Sequence, residues 1–526
     1  MEEKRTYDFW PYNIAKELIA NWKSDKQVIT TGTSMSGDPH IGSANDVIRG
    51  DAIKLAVEKI GHMAELVWIS DDMDPFRSVP ADMPKELEDY LGVPASLIPD
   101  FWNDGHPNFV EHFEEKFLKQ LEKVHVKPTI RRGIDMYKAG MYNDVILIAM
   151  DRKMQIIDIL NKFRENKLDE NWWPVDVICE ECNRISTTKI TDYDRKSRKV
   201  EYFCNPDEIL LHRKNPVSGC GHKGKVSILD GRAKLTWRVE WAARWVFLKS
   251  TCEPFGKEHA AAGGSWDTGK EIVEKIYNYK PPRPIEYEHF LVNGEKMSKS
   301  KGNVISLDDM LRYMLPEHVR YWMFQGRLTI AKDIVLKSIA PHVFDEFDEA
   351  EDVYFGKKLE DEREANNLKK AYELSIVKIP HKETTIHISF RTIENAVRLY
   401  PEDPTKALSK DFKIDRNNLP NLKKKIEIVK NYLADFGEKQ EKKEVKIDKE
   451  DKKVLKQLIE TIKKEKDADE LQKEVANIAK SYEKGMKEFF KLVYNILLGT
   501  DAGPRLGVFI IEKGKKEIIK RLEDAL

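Results

Sequence analysis

The stretch Gln27-Val28-Ile29-Thr30-Thr31-Gly32-Thr33-Ser34-Met35-Ser36-Gly37-Asp38-Pro39-His40-Ile41-Gly42-Ser43-Ala44-Asn45-Asp46 decides the fold. Its run Val28-Ile29-Thr30-Thr31 is β-branched throughout and stops at a glycine, which is the pattern of a short buried strand. Small residues and Pro39 follow as a turn, and a helix is predicted to open near Ile41. Strand, tight turn and helix start aim backbone N–H groups and the positive end of the helix dipole at one point, where an anion such as phosphate is stabilised. Such a unit belongs to an open α/β sheet that binds its ligand beyond the carboxyl ends of the strands.

Working outward, Tyr12 to Trp22 carries apolar residues at helical spacing, and Glu65-Leu66-Val67-Trp68-Ile69-Ser70 reads as the next strand. That strand runs into Asp71-Asp72-Met73-Asp74-Pro75-Phe76-Arg77, so carboxylates stand where such a sheet holds its ligand. They are either turn chemistry or an acidic wall for a cationic substrate. Pro84 to Pro128 reads as helix with loops, and the apolar run Asp144 to Ala149 leads into a helix from Met154 to Asn166. Asp100, Asp104, His106 and His112 fall close together in this part, as a weak metal candidate or as scattered surface residues. Further on, Tyr287-Glu288-His289-Phe290-Leu291-Val292 is predicted to be a strand. It delivers the loop Gly294-Glu295-Lys296-Met297-Ser298-Lys299-Ser300-Lys301-Gly302-Asn303. Glycines near both ends let that loop swing, and its lysines can surround a polyanion whose charge shifts as a phosphoanhydride breaks.

Residues 172–227 form an insertion with its own logic. Cys179 and Cys182 make one knuckle, Cys204 sits on a probable strand, and Cys220-Gly221-His222 makes a second knuckle. Two close pairs separated by a hairpin suit tetrahedral zinc, with four of the five candidates Cys179, Cys182, Cys204, Cys220 and His222 as ligands. Four clustered cysteines out of five in the chain point to a structural metal in a reducing compartment rather than to disulfides. A cytoplasmic protein is expected, with no membrane span and no secretory leader. With 89 basic against 90 acidic residues in 526, net charge identifies no partner, and a nucleic-acid surface must come from local segregation. Beyond about residue 330 the composition shifts to Lys/Glu-rich helical patterns, as in Asn421 to Phe436, Glu450 to Lys466 and Leu471 to Leu498. The segment Thr384 to Phe390 interrupts them with a β-like run.

His40-Ile41-Gly42-Ser43 and Lys296-Met297-Ser298-Lys299-Ser300 resemble the two signatures of class I aminoacyl-tRNA synthetases. Ser43 departs from the usual second histidine of the first signature. Several intervening passages narrow the resemblance to the class I lysyl-tRNA synthetases. They include Ser70 to Asp74, the cysteine module, Trp237-Arg238-Val239-Glu240-Trp241, Gly256-Lys257-Glu258-His259 and Gly503-Pro504-Arg505-Leu506-Gly507. The resemblance implies a Rossmann-like, doubly wound parallel-sheet catalytic domain over 1–330, interrupted by the zinc-binding insertion at 172–227. A C-terminal all-α domain over 331–526 would read the anticodon end of tRNA. It also implies ATP-dependent activation of L-lysine with Mg²⁺ and transfer to tRNA(Lys), with no role for DNA.

In that reading His40, Lys296, Ser298 and Lys299 serve the phosphates, while Gly32, Gly42, Gly263, Gly264 and Asp267 receive the rest of ATP. Lys234 to Trp241 resembles the strand that opens the second half of the site. The lysine ammonium needs a carboxylate, and Asp71 and Asp72 are the candidates. Trp237 or Tyr287 would cover the stem, and His259 with the turn Thr31-Gly32-Thr33 would shape the opposite wall. Alternatives are a class I enzyme for glutamate or arginine, or a tRNA-binding paralogue without ligase activity. The presence of His40, Lys296 and Lys299 speaks for an enzyme.

Overall fold

A computed structural model describes residues 9–80, 83–211, 214–297, 303–358, 360–376, 385–437, 447–465, 467–501 and 503–526. The chain divides into two units, Met1–Thr384 and Thr385–Leu526. The first is built on a five-stranded sheet of β1 (Lys26–Thr33), β2 (Met63–Ser70), β3 (Thr129–Arg132), β4 (Cys252–Gly256) and β5 (Arg283–Tyr287). All its pairings are parallel, in the order β5-β4-β1-β2-β3. The chain therefore winds outward from β1 to β3, then returns to the other side of β1. The switch point lies between β1 and β4, and sheets of this kind bind their ligands there, beyond the carboxyl ends of the strands. Val28, Ile29, Thr30 and Thr31 are buried in β1, in accord with the β-branched run.

The expected helix opens at Ile41 and continues to Lys59. Its face toward the sheet is packed closely enough that a Cβ at Gly50 would meet Leu66 at 2.8 Å. Arg320, fully buried, donates to Asp51 of that helix at 2.7 Å and to the carbonyls of Val124 and Leu374. Through such contacts the helices Leu336–Tyr354 and Glu362–Ser375 belong to the first unit, although the composition shifts near residue 330.

The segment 175–235 leaves and rejoins the core through an antiparallel ladder of Val175–Val177 with Ala233–Leu235. Beyond that base, strands Thr188–Asp194, Lys199–Cys204 and Lys223–Ser227 form an antiparallel sheet of their own.

Three local expectations for this unit are corrected. Lys234 to Trp241 is not one strand: Thr236 starts a helix over Trp237–Leu248. Trp237, Trp241 and Trp245 recur at i+4, so one helical face carries the large rings into the core. The helix predicted to reach Asn166 covers Lys153–Asn161, and Asn161 turns its side chain onto the backbone of Leu168. Tyr287 to Val292 is split, with β5 ending at Tyr287 and a separate strand at Phe290–Val292.

The second unit is helical. Leu471 to Leu498 is broken into Ala468–Ser481 and Met486–Leu498, because Gly485 takes a φ of 94° that a helix interior does not allow. In the β-like run, residues 385–389 are irregular and a helix starts at Phe390, capped by Ser389. No described helix is long and apolar enough to cross a membrane.

Candidate active site

The first helix after β1 begins beyond the carboxyl end of that strand. His40 is its N-cap, and its Nδ1 accepts from the Ser43 backbone N–H at 3.3 Å. A neutral ring held this way carries its proton on Nε2, which makes Nε2 a donor. The contribution of Ser43 is thus a backbone N–H. Gly42 is squeezed between two side chains: a Cβ there would come within 2.8 Å of the His40 ring and 3.5 Å of Met297 Cε. Met297 belongs to the lysine loop, and just after that loop the carbonyl of Ile305 accepts from Ile41 N–H at 2.8 Å. The two motifs quoted from opposite ends of the first unit therefore meet at one helix N-terminus. Lys296 is exposed on a short hairpin strand, while Ser298 and Lys299 lie outside the described residues.

Above β1 sits a buried ion pair. Arg244 Nη1 donates to Asp71 Oδ1 at 2.8 Å. A Cβ at Gly32 would lie 3.3 Å from Asp71 Oδ2, so the glycine gives this carboxylate its room. Burial outweighs the pull of Arg244 and, with the neighbouring Asp74, holds the Asp71 carboxyl at about 6. The Arg244 guanidinium stands 5.1 Å from the centre of the Trp237 ring, which stacks on Trp241. His259 packs against both tryptophans, and burial lowers its pKa. Beside the pair, Lys234 bridges Asp74 and Glu240, and Glu240 accepts from Tyr137 Oη at 2.9 Å.

Asp72 faces elsewhere. Its Oδ1 accepts from Ile134 N–H at 2.8 Å, where a helix begins at Gly133. Burial raises its pKa well above the ordinary value. The Tyr287 ring carries Arg49 at 5.5 Å, so a cation of the protein's own helix already occupies one of its faces. Thr31 Oγ1 donates to the Val67 carbonyl, and Thr33 Oγ1 accepts from Trp68 Nε1. Asp267 Oδ2 accepts from Gly263 N–H at 2.9 Å, and Arg238 Nη1 donates to the carbonyls of Gly263 and Gly264. Gly263 needs its left-handed φ of 73° to make this turn.

The family description "tRNA synthetases class I (K)" matches residues 8–378 of this chain, and "Anticodon binding domain" matches 392–526. The chain belongs to the class I (K) tRNA synthetases. It is accordingly an aminoacyl-tRNA synthetase, a ligase. It is 36% identical to a lysine–tRNA ligase of Methanocaldococcus jannaschii over 97% of this chain and 99% of the relative. It is 34% identical to that of Methanosphaera stadtmanae over 97% and 98%, and 32% identical to that of Archaeoglobus fulgidus over 98% and 100%.

In this synthetase the Sγ atoms of Cys179, Cys182, Cys204 and Cys220 lie within 4.8 Å of one another. Cys179 and Cys220 sulfurs are 3.6 Å apart, and those of Cys182 and Cys204 are 3.7 Å apart. Tetrahedral zinc with bonds of about 2.3 Å requires sulfurs about 3.75 Å apart, so the residues fit the ion. His222 stands outside this group, with its Nε2 3.9 Å from Glu180. Its backbone carbonyl accepts from Cys204 N–H, which helps to shape the second knuckle.

A second cluster joins Asp104, His106 and His112, whose ligand atoms also lie within 4.8 Å of one another. Asp100 is not in it: its carboxylate accepts from the Trp102 and Asp104 backbone N–H groups. Arg244, Glu240, Lys234, Glu258 and His289 carry no signal of their own in the sequence reading. Lys234 and Glu240 were marked by lying within Lys234–Trp241, Glu258 by Gly256–His259 and His289 by Tyr287–Val292, while nothing marked Arg244.

Proposed function

We propose that the chain is a lysine–tRNA ligase that forms lysyl-adenylate from lysine and ATP, then passes the lysyl group to tRNA(Lys). Its likeness over nearly its whole length to lysine–tRNA ligases carries the reading, and the meeting of both signature motifs at one helix N-terminus agrees with it. In the first step the lysine carboxylate attacks the α-phosphate and pyrophosphate leaves. The protein supplies positioning and charge rather than a covalent nucleophile. His40 Nε2 donates to the phosphates, and Lys296, Ser298 and Lys299 hold the β- and γ-phosphates as charge develops there. Mg²⁺ bound with ATP neutralises part of that charge.

The nucleoside lies toward Gly42 and the Gly263-Gly264 turn. Asp267 offers its remaining acceptor capacity to the ribose. Asp71 faces the lysine ammonium, Trp237 covers the stem, and His259 and Gly32 line the walls. Arg244 keeps Asp71 in place. The second unit binds the anticodon end of tRNA, and the enzyme works in the cytosol.

The test is lysine-dependent exchange of pyrophosphate into ATP. Exchange with lysine and not with glutamate or arginine is expected; exchange driven by either of those instead would overturn the amino-acid assignment.

The four cysteine thiolates hold a structural zinc, and Asp104, His106 and His112 form a second divalent-cation site. Structural zinc contributes folding free energy. Cys182→Ser is therefore expected to lower bound zinc by one ion per chain and loosen residues 175–235, with Mg·ATP affinity unchanged. Wild-type protein that elemental analysis finds without zinc would contradict this.

A further inference from the structure

The hairpin that carries Lys296 ends against His289, which in turn meets Glu258. Asn293 and Gly294 take φ of 52° and 79°, the left-handed pair of a tight two-residue turn. This turn brings Lys296 back opposite Leu291. Lys296 Nζ then stands 3.0 Å from His289 Nε2. The same nitrogen is 3.0 Å from Glu258 Oε2. Glu258 reaches it by folding over Gly256 at the carboxyl end of β4, where a Cβ would come within 2.5 Å of Oε2.

One ring nitrogen thus faces an ammonium and a carboxylate at the same distance. With a lone pair, Nε2 accepts from Lys296 and repels Glu258. With a proton, it donates to Glu258 and cannot accept from Lys296. The two hydrogen bonds exclude each other, so the trio has two arrangements.

We propose that His289 is a positioning residue that holds Lys296 before the triphosphate arrives, then releases it to the phosphates by taking up a proton and closing on Glu258. The inference rests on the reading of Lys296 as a phosphate ligand. The charged and titratable groups around the ring are Glu258, Glu288, Lys296, Lys257 and His259. Lys257 is itself paired with Glu288 at 2.6 Å.

Burial disfavours the protonated ring, Glu258 favours it, and Lys296 and Lys257 oppose it. Moving Lys296 onto the phosphates takes one of these cations away and leaves the carboxylate behind. The ring then binds a proton more readily. ATP binding takes up that proton, and by linkage ATP binds more tightly as pH falls through the histidine range.

The experiment is equilibrium binding of Mg·ATP to the full chain between about pH 6 and pH 8.5, the span in which a histidine titrates. Wild type is expected to bind about 3–10-fold more tightly at the acid end, corresponding to a shift of up to about one pKa unit. His289→Gln should lose this dependence, and Glu258→Gln should weaken it. Taking the difference between wild type and His289→Gln removes the titration of the nucleotide and of every other group the two proteins share. Calorimetry in buffers of different ionisation enthalpy should show more proton uptake by wild type than by His289→Gln. Identical pH dependence, or identical proton uptake, in wild type and His289→Gln would overturn the proposal while leaving Lys296 as a phosphate ligand. Failure of wild type to bind Mg·ATP at all would remove the phosphate reading and this inference together.

Discussion

Alanine at both Lys296 and Lys299 is expected to slow lysine-dependent pyrophosphate exchange by about 10²–10³-fold or more, the scale of losing preorganised donors to a developing charge. The lysine KM should stay within about twofold, because charge placed to meet the transition state changes kcat rather than ground-state binding. Lys296 extends from a hairpin strand held to its neighbour and to Asp333, which accepts from Gly294 N–H at 3.0 Å. Truncating an exposed lysine there removes little packing. Thermal melting of the double variant is therefore expected to match wild type, which separates loss of chemistry from loss of structure. Unchanged turnover would remove both lysines from the phosphate site.

Asp71→Asn is expected to raise the KM for lysine by about 10–100-fold, the loss of a charge-assisted hydrogen bond. The KM for ATP should barely move. The variant also leaves Arg244 buried without a counter-charge, so a fall in stability is expected alongside. Wild type supplies an independent check. Because Asp71 titrates at about 6, it is charged above that pH and neutral below it. The lysine KM should therefore rise as pH falls through 6 and level off above it. Asp72→Asn is the control. Asparagine keeps the oxygen that accepts from Ile134 N–H, so the lysine KM should change by less than about twofold. A large effect at Asp72 with none at Asp71 would exchange their roles.

Much of the site could be read from letters because its backbone chemistry is local. The β-branched run stopping at Gly32, the small-residue turn and the helix start at Ile41 each follow from adjacent residues, and the structure places them accordingly. Cys179, Cys182 and Cys220 were legible as members of one cluster for the same reason, since each knuckle is short in sequence. His222 could not be separated from Cys204 by spacing. The choice depends on how the strand ending at Cys204 runs beside the second knuckle.

The wall around Asp71 was less legible because its partners are distant. Arg244 and Glu240 lie on a helix whose tryptophans and valine favour a strand reading, while Asp71, Lys234 and Tyr137 come from three other segments. Burial of charge in that helix is sustained by pairing across the fold, which no local window contains. Asp72 next to Asp71 shows the same limit. One residue's step turns the carboxylate from Arg244 to a helix N-terminus.

The measurement that tests the central claim most directly is charging of tRNA by the purified full chain with labelled amino acids. Lysine attached to tRNA(Lys), dependent on ATP and absent with glutamate or arginine, is the result expected. Charging with a different amino acid, or no charging by a folded chain that binds tRNA, would contradict it.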